Sequence, residues 1–174
     1  MVGCRIRRCS ACALVLALAS TFVTHAQVRR RAEPSTESAT VPIQISLQVG
    51  GTPYAFTGSG SCRSTAQASI YDVQAAMWTV EQNADGKSLT LTVWRPNSGP
   101  GEMLSLAVTA GGKSYRVSTV KVGQRGDAQG SGTVKLDTSG QGGSFTINAA
   151  TKDGAKISGT VKCERFTSPE PVAG

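Results

Sequence analysis

Histidine is nearly missing from this sequence of 174 residues, in which His25 is the single example. Because His25 lies inside the export signal predicted below, we expect the mature chain to contain none. A chain without histidine has no Ser-His-Asp or Cys-His catalytic arrangement and no His-rich zinc or copper site. The sequence therefore predicts no catalytic residues, no metal site and no cofactor, and it indicates a protein that is not an enzyme.

Long hydrophobic runs are also missing. The longest runs from Cys12 to Val23, whereas a membrane-spanning helix needs roughly 20 apolar residues. Three arginines precede this run, and the small residues around His25 suit a cleavage site. We predict a secretory signal peptide that is removed near Ala26, no transmembrane segment, and a soluble product in the periplasm or outside the cell.

Acidic and basic residues are nearly balanced once the signal is removed. The formal charge falls from +7 to +4, because the signal holds three of the 18 basic residues and none of the 11 acidic ones. Aromatic residues make up only 5% of the chain. A mildly basic, exported chain with few aromatic residues is not expected to bind nucleic acid.

Cysteine is present at five positions, but two of them matter for the mature chain. Those at positions 4, 9 and 12 precede or open the apolar run, whereas a lipid-anchor cysteine would follow it. Cys62 and Cys163 remain, and in an oxidising compartment they predict a disulfide that closes a loop of about 100 residues. A redox-active or metal-binding pair is the alternative, but it would need a C-x-x-C spacing or more ligands.

The body of the chain shows the two-residue periodicity of β-strands. Apolar and polar residues alternate from residue 42 onward, and Gly-Gly or Asp-Gly pairs separate such stretches at fairly regular intervals. We predict an all-β fold, namely a single antiparallel β-sandwich or flattened barrel of about eight or nine strands over residues 42–167. Residues 27–41 are predicted to form a disordered polar leader, and residues 168–174 a flexible tail.

One segment leaves two alternatives open. Residues 64–77, "STAQASIYDVQAAM", have a composition and an apolar spacing that fit a short helix near 65–77. A strand across residues 70–76 is also compatible with this sequence.

The tryptophans supply the candidate ligand surface. Leu89, Leu91 and Val93 share one face of a predicted strand, so Trp94 lies on the opposite face. With Trp78 and Arg95 it could form a stacking surface for a sugar, a small hydrophobic ligand or an envelope component. The loop over residues 95–102 could equally cover Trp94, and a small hydrophobe could instead lie between the sheets.

Three carboxylates form the basis of an alternative function, a small secreted hydrolase or inhibitor that uses carboxylates only. They are Asp72, Glu81 and Glu102. Two of them facing each other in a concave pocket would favour an enzyme, because hydrolysis by carboxylates needs a pair at a defined separation. Dispersal over the surface would favour a binding protein.

The C-terminal block resembles the end of small secreted or lipid-anchored bacterial β-proteins. It reads "GSGTVKLD", then "GGSFTINAATKDGAKISGTVKC", and its last cysteine has a distant partner. These features are similar to the mycobacterial surface lipoprotein antigens of the LpqH type, although the anchor cysteine of those proteins has no counterpart here. The resemblance covers about a third of the chain and implies a bacterial envelope or surface β-sandwich without catalytic residues. The export signal, the strand pattern, the single cysteine pair and the missing histidine together predict an exported, non-enzymatic binding or structural module.

Overall fold

The structure, a computed structural model, describes residues 39–99 and 101–168. Every regular element within these ranges is a β-strand, and no helix occurs there. The nine strands are β1 (Thr40–Val49), β2 (Thr52–Ile70), β3 (Val73–Ala84), β4 (Lys87–Pro96), β5 (Met103–Ala110), β6 (Lys113–Ser118), β7 (Ser131–Ser139), β8 (Gly142–Ala150) and β9 (Lys156–Cys163).

The predicted segment boundaries meet the structure only in part. The predicted signal peptide, most of the predicted leader and residues 169–174 of the predicted tail lie outside the described residues. β1 already begins at Thr40, and Val41 is buried. The last two residues assigned to the leader therefore belong to the first strand, because Val41 continues the inward apolar series of β1.

The strands form one antiparallel sheet in the order β6-β5-β4-β3-β2-β1-β9-β8-β7. The sheet curls until its two edge strands approach each other. Ser118, the last residue of β6, exchanges two backbone hydrogen bonds of 2.8 Å with Gln129, just before β7. The result is a nearly closed, barrel-like sheet, and the predicted all-β fold with about nine antiparallel strands is confirmed.

The inner face of the sheet forms the core. β1 shows the principle, since its exposed and buried residues alternate strictly over all ten positions. Tyr54 and Phe145 are fully buried near the middle of the core, and the aliphatic inner residues of all the strands pack around them. The sheet is closed because this curved inner face must be covered on every side.

Two-residue turns set the register of the hairpins. Gly50 and Gly51 have φ angles of 57° and 85°, and Asp85 and Gly86 have 54° and 69°. Positive φ at both central positions gives the turn a twist that matches the twist of paired strands. The turns predicted at these two sites are confirmed.

Residues 64–77 form the end of a long hairpin, so the helix alternative is wrong, and the alternative of one strand across residues 70–76 is interrupted by a turn at residues 71 and 72. β2 continues to Ile70, with a register shift between Thr65 and Ala68, and pairs with β3 around a turn at Tyr71 and Asp72. Ile70 is buried in a second apolar cluster. A strand brings Ile70 to that cluster, and β2 therefore extends well beyond Cys62.

Cys62 and Cys163 form the predicted disulfide, with their Cα atoms 6.2 Å apart. The bond joins β2 to β9, the two strands that flank β1. The segment after β9 also connects to β2. The Thr167 N–H donates to the Cys62 carbonyl and the Ser64 N–H donates to the Thr167 carbonyl, both at 2.9 Å. The barrel is thus linked twice at the end where β1 begins.

Candidate functional site

Trp78 and Arg95 lie together at one end of the barrel. Trp78 pairs with Val93 across β3 and β4, so its side chain has the inward parity of Val93, and Arg95 follows two residues later on the same face. The guanidinium carbon of Arg95 lies 5.1 Å from the centre of the Trp78 ring. Trp78 itself is half-buried against the main core. The pair makes a cation–π contact at the rim of the core.

Glu102 extends this contact to the free edge of the sheet. Arg95 Nε lies 2.9 Å from Glu102 Oε1, and the Leu136 N–H donates to Glu102 Oε2 at 3.2 Å. In the β7–β8 hairpin Ser139 and Gly142 flank a two-residue turn and form a hydrogen-bonded pair. Such pairs alternate along an antiparallel ladder, so the odd-numbered residues of β7 bond to β8 and the backbone N–H and C=O groups of the even-numbered residues point away from it. Glu102 therefore satisfies a donor on the open edge of β7 and helps to close the sheet.

Glu102→Ala is expected to lower the free energy of unfolding by about 1 to 2 kcal/mol, because it leaves both Arg95 and the Leu136 N–H without their acceptor. Glu81→Ala is the matched control. It removes one carboxylate from a more exposed pair with Arg63 and should cost less than about 1 kcal/mol. Urea unfolding of both variants measures the difference, and equal losses would show that Glu102 does not close the sheet.

Trp94 lies on the other face of the sheet from Trp78. It pairs with Met77 on one side and with Met103 on the other. It is half-buried against the second apolar cluster, which comprises Ile70, Ala75, Met103 and Val120. Its packing partners therefore include the segment after β6, and the predicted set of Trp78, Trp94 and Arg95 does not form one continuous surface.

The three carboxylates singled out from the sequence are dispersed. Asp72 pairs with Arg125, Glu81 with Arg63 and Glu102 with Arg95. None of the three lines either of the two cavities described below. Within residues 39–99 and 101–168, no group of three or more potential metal-ligating side chains occurs.

A groove of about 460 Å³ lies at the barrel end where β1 begins. We call it the strand-end groove, and its lining comes from the ends of four strands: Pro42, Gln44, Asp137, Ser139, Gly142, Gly143, Ser144, Lys162, Cys163 and Glu164. Gln44, Lys162, Ser144 and Asp137 lie in register across β1, β9, β8 and β7. The groove therefore has one row of polar side chains across a floor of small residues.

Charge in the strand-end groove is mixed. Lys162 is exposed in the middle of the row, Asp137 lies at one end of it, and Glu164 follows β9. Lys135 Nζ approaches Asp137 Oδ1 to 3.2 Å. Small ligands commonly occupy cavities of about 300 to 1,000 Å³ with a few polar groups among apolar surface, and this groove has that size and composition.

Sequence reasoning did not find this groove. Its polar row requires the first strand to lie beside the last one, and no local pattern in the sequence specifies that pairing. The cluster of small residues at 139–144, "SGQGGS", is a weak local signal for a shallow surface.

In comparisons with known proteins, no family model, no curated protein and no solved structure matches this chain. Among the described residues, no helix is long and apolar enough to cross a membrane. The function must therefore be argued from the geometry of the chain itself.

Proposed function

We propose that this chain is an exported, non-enzymatic binding module of the bacterial envelope or exterior, and that the strand-end groove holds its ligand. The observation that carries the proposal is the groove itself, with its size, its floor of small residues and its row of Gln44, Lys162, Ser144 and Asp137. A small ligand that combines apolar surface with hydroxyl or carboxyl groups, such as a sugar or a polar-headed hydrophobe, fits this composition.

A ligand at the surface fits the barrel better than a hydrophobe between sheets. The inner faces are filled, and the side chains of Tyr54 and Phe145 have no exposed surface. The strand-end groove opens at the outside of the sheet. The groove therefore replaces the interior as the proposed position of the ligand.

The positions of the carboxylates also favour a binding function over hydrolysis. A general acid usually needs a carboxyl group held in an apolar setting that keeps its proton. Asp137 and Glu164, the carboxylates of the strand-end groove, are both exposed. The alternative of a small secreted hydrolase depended on Asp72, Glu81 and Glu102, and their dispersal into three separate ion pairs favours a binding protein.

Export and envelope location belong to the same proposal. The disulfide is compatible with an oxidising compartment, and the resemblance of the C-terminal block to the LpqH-type antigens fits an envelope protein. Intact-mass measurement of protein purified from its own envelope tests this, since we expect a mature chain that begins near Gln27. A chain that retains residues 1–26 would contradict export by cleavage.

Native mass spectrometry of the same preparation tests the binding proposal, and a small molecule retained by the folded chain is the expected result. Ser144→Trp should abolish retention, because the indole fills the middle of the groove. Thr146→Trp is the matched control, since Thr146 lies two residues along the same strand on the same face and does not line the groove. Equal retention by both variants, or a clean unliganded chain from the native source, would overturn the proposal.

A further inference from the structure

A second cavity lies at the opposite end of the barrel, where β6 forms one edge of the sheet. Its volume is about 430 Å³, and we call it the β6 cleft. The residues of β6 form one wall, and the turn between β8 and β9 forms the other. Its lining comprises Lys113, Ser114, Tyr115, Arg116, Gln129, Thr151, Lys152 and Asp153.

The register of β6 places free backbone groups along this cleft. Ala110 and Lys113 close the two-residue turn with β5, so Lys113, Tyr115 and Val117 direct their backbone groups toward β5. The alternate residues direct theirs away from β5, and Ser118 uses both of its groups to bind Gln129. Ser114 and Arg116 have the same orientation as Ser118. Among the described residues, no backbone group pairs with theirs.

The side chains around these groups carry a positive charge. Lys113, Arg116 and Lys152 are exposed, and none of them forms an ion pair within residues 39–99 and 101–168. The one carboxylate is Asp153, which accepts a hydrogen bond from the Thr151 hydroxyl. That hydrogen bond lowers the pKa of Asp153. The cleft therefore holds three cations and one carboxylate, and its net charge is positive.

Tyr115 gives the cleft a fixed apolar wall. It has the inward parity of Val108, its partner on β5, and it is half-buried against the main core. The ring lies so close to Gly50 that a Cβ there would approach the Tyr115 hydroxyl to 2.8 Å. The absence of a side chain at Gly50 thus leaves room for the ring beside the edge of β6.

We propose that the β6 cleft binds an extended acidic peptide segment, which adds as a short strand to the free edge of β6. Strand addition uses alternating backbone donors and acceptors for affinity and side-chain contacts for specificity. Ser114 and Arg116 supply the alternating groups, and Lys113, Arg116 and Lys152 select carboxylates. The backbone groups favour a peptide over an acidic polysaccharide, because a polysaccharide has no amide row at strand spacing.

The site is independent of the strand-end groove. The groove takes residues 142–144 from the start of β8, whereas the cleft lies beyond the end of that strand, at residues 151–153. Failure of one proposal therefore leaves the other intact.

Four labelled probes test the proposal by fluorescence anisotropy with the disulfide-intact chain. They are a peptide of alternating Glu and Val, the same peptide with Lys for Glu, the acidic peptide with alternate amide nitrogens methylated, and an acidic oligosaccharide of equal charge. We expect the first to bind at least about tenfold more tightly than each of the others. Equal binding of the methylated peptide or of the oligosaccharide would overturn strand addition.

Two variants locate the binding. Arg116→Glu should weaken binding of the acidic peptide at least about tenfold, because it replaces attraction by repulsion. Arg165→Glu makes the same change of charge at an exposed position that does not line the cleft, and it should weaken binding less than about threefold at moderate ionic strength. Equal loss in both variants would show a nonspecific charge effect and overturn the site.

Ser114→Pro tests the backbone contribution without changing the charge. Proline removes the N–H that points into the cleft, and an edge strand tolerates proline at a position facing solvent. Binding should fall at least about fivefold while the unfolding transition is retained. If the variant does not fold, the methylated peptide tests the same hydrogen bonds from the other side.

Discussion

Replacing Cys62 and Cys163 together by alanine is expected to lower the free energy of unfolding by about 4 to 5 kcal/mol. The two cysteines are 101 residues apart in sequence, so the bond restricts a long loop of the unfolded chain. Domains of this size are typically stable by only about 5 to 15 kcal/mol. The variant should therefore unfold at a much lower urea concentration, as followed by tryptophan fluorescence.

The reduced wild-type protein is the control for packing. Both cysteines are buried, so alanine removes a sulfur atom from the core in addition to the crosslink. Reductant removes the crosslink alone, and the difference between the two unfolding curves gives the packing contribution. An unchanged urea midpoint in reductant would show that the bond does not stabilise the barrel.

The noncovalent contacts of the segment after β9 could compensate for part of the stability that is lost with the disulfide. The Thr167 N–H and hydroxyl both donate to the Cys62 carbonyl, at 2.9 and 3.0 Å. The ring of Phe166 packs edge-on against Phe145 with centroids 6.0 Å apart. These contacts hold the segment after β9 beside β2 in the folded state, but they do not restrict the unfolded chain. The entropic effect of the disulfide should therefore remain.

Local pattern was sufficient to predict most of the strands. In β1 every second residue is apolar and the Gly50–Gly51 turn follows directly, so periodicity and turn chemistry agree. The turn at Tyr71 and Asp72 could not be predicted in this way. Tyr71 has a φ of 49°, a conformation in which a tyrosine is uncommon. The contacts that accompany this turn come from Arg125, more than 50 residues away, which binds Asp72 at 2.5 Å.

Strand parity also predicted part of the candidate site. It placed Trp94 on the face opposite to Leu91 and Val93, and the structure confirms that placement. It could not predict that Glu102 reaches Leu136, because this contact depends on the closure of the sheet between β5 and β7. The strand-end groove depends in a similar way on the pairing of β1 with β9, which no local pattern specifies. Contacts between the ends of the chain were therefore inaccessible to local reasoning.

A buried tyrosine gives the barrel a specific sensitivity to alkaline pH. Tyr54 has no exposed surface, and its hydroxyl donates to Gln82 Oε1. Burial raises the pKa of Tyr54 from 10.0 to about 12. The unfolded chain therefore loses this proton about two pH units before the folded chain does, so Tyr54 contributes a loss of stability as pH rises from about 10 to 12. The full loss is on the order of 3 kcal/mol, of which roughly half falls between pH 9 and 11.

Tyr54→Phe isolates this contribution. The other titratable groups are the same in both proteins, so their contributions largely cancel in the difference. At pH 7 the variant should be less stable by about 1 to 2 kcal/mol, because Gln82 loses its donor in a buried setting. Between pH 9 and 11 the wild type should approach the variant in urea unfolding. A constant gap across this range would show that the Tyr54 phenol does not titrate differently in the folded and unfolded states.

The double variant Tyr54→Phe with Gln82→Leu tests whether the instability of Tyr54→Phe comes from the polar groups of Gln82 that are left without partners. Gln82 is buried, and its Nε2 has no hydrogen-bond partner among the described residues. Removing both polar side chains eliminates that unsatisfied donor together with the orphaned acceptor, so we expect stability at pH 7 to return to the wild-type value or above it. A double variant less stable than Tyr54→Phe alone would mean that Gln82 makes a contribution to packing that leucine cannot replace. The alkaline loss should be absent from the double variant in either case, because it belongs to the phenol alone.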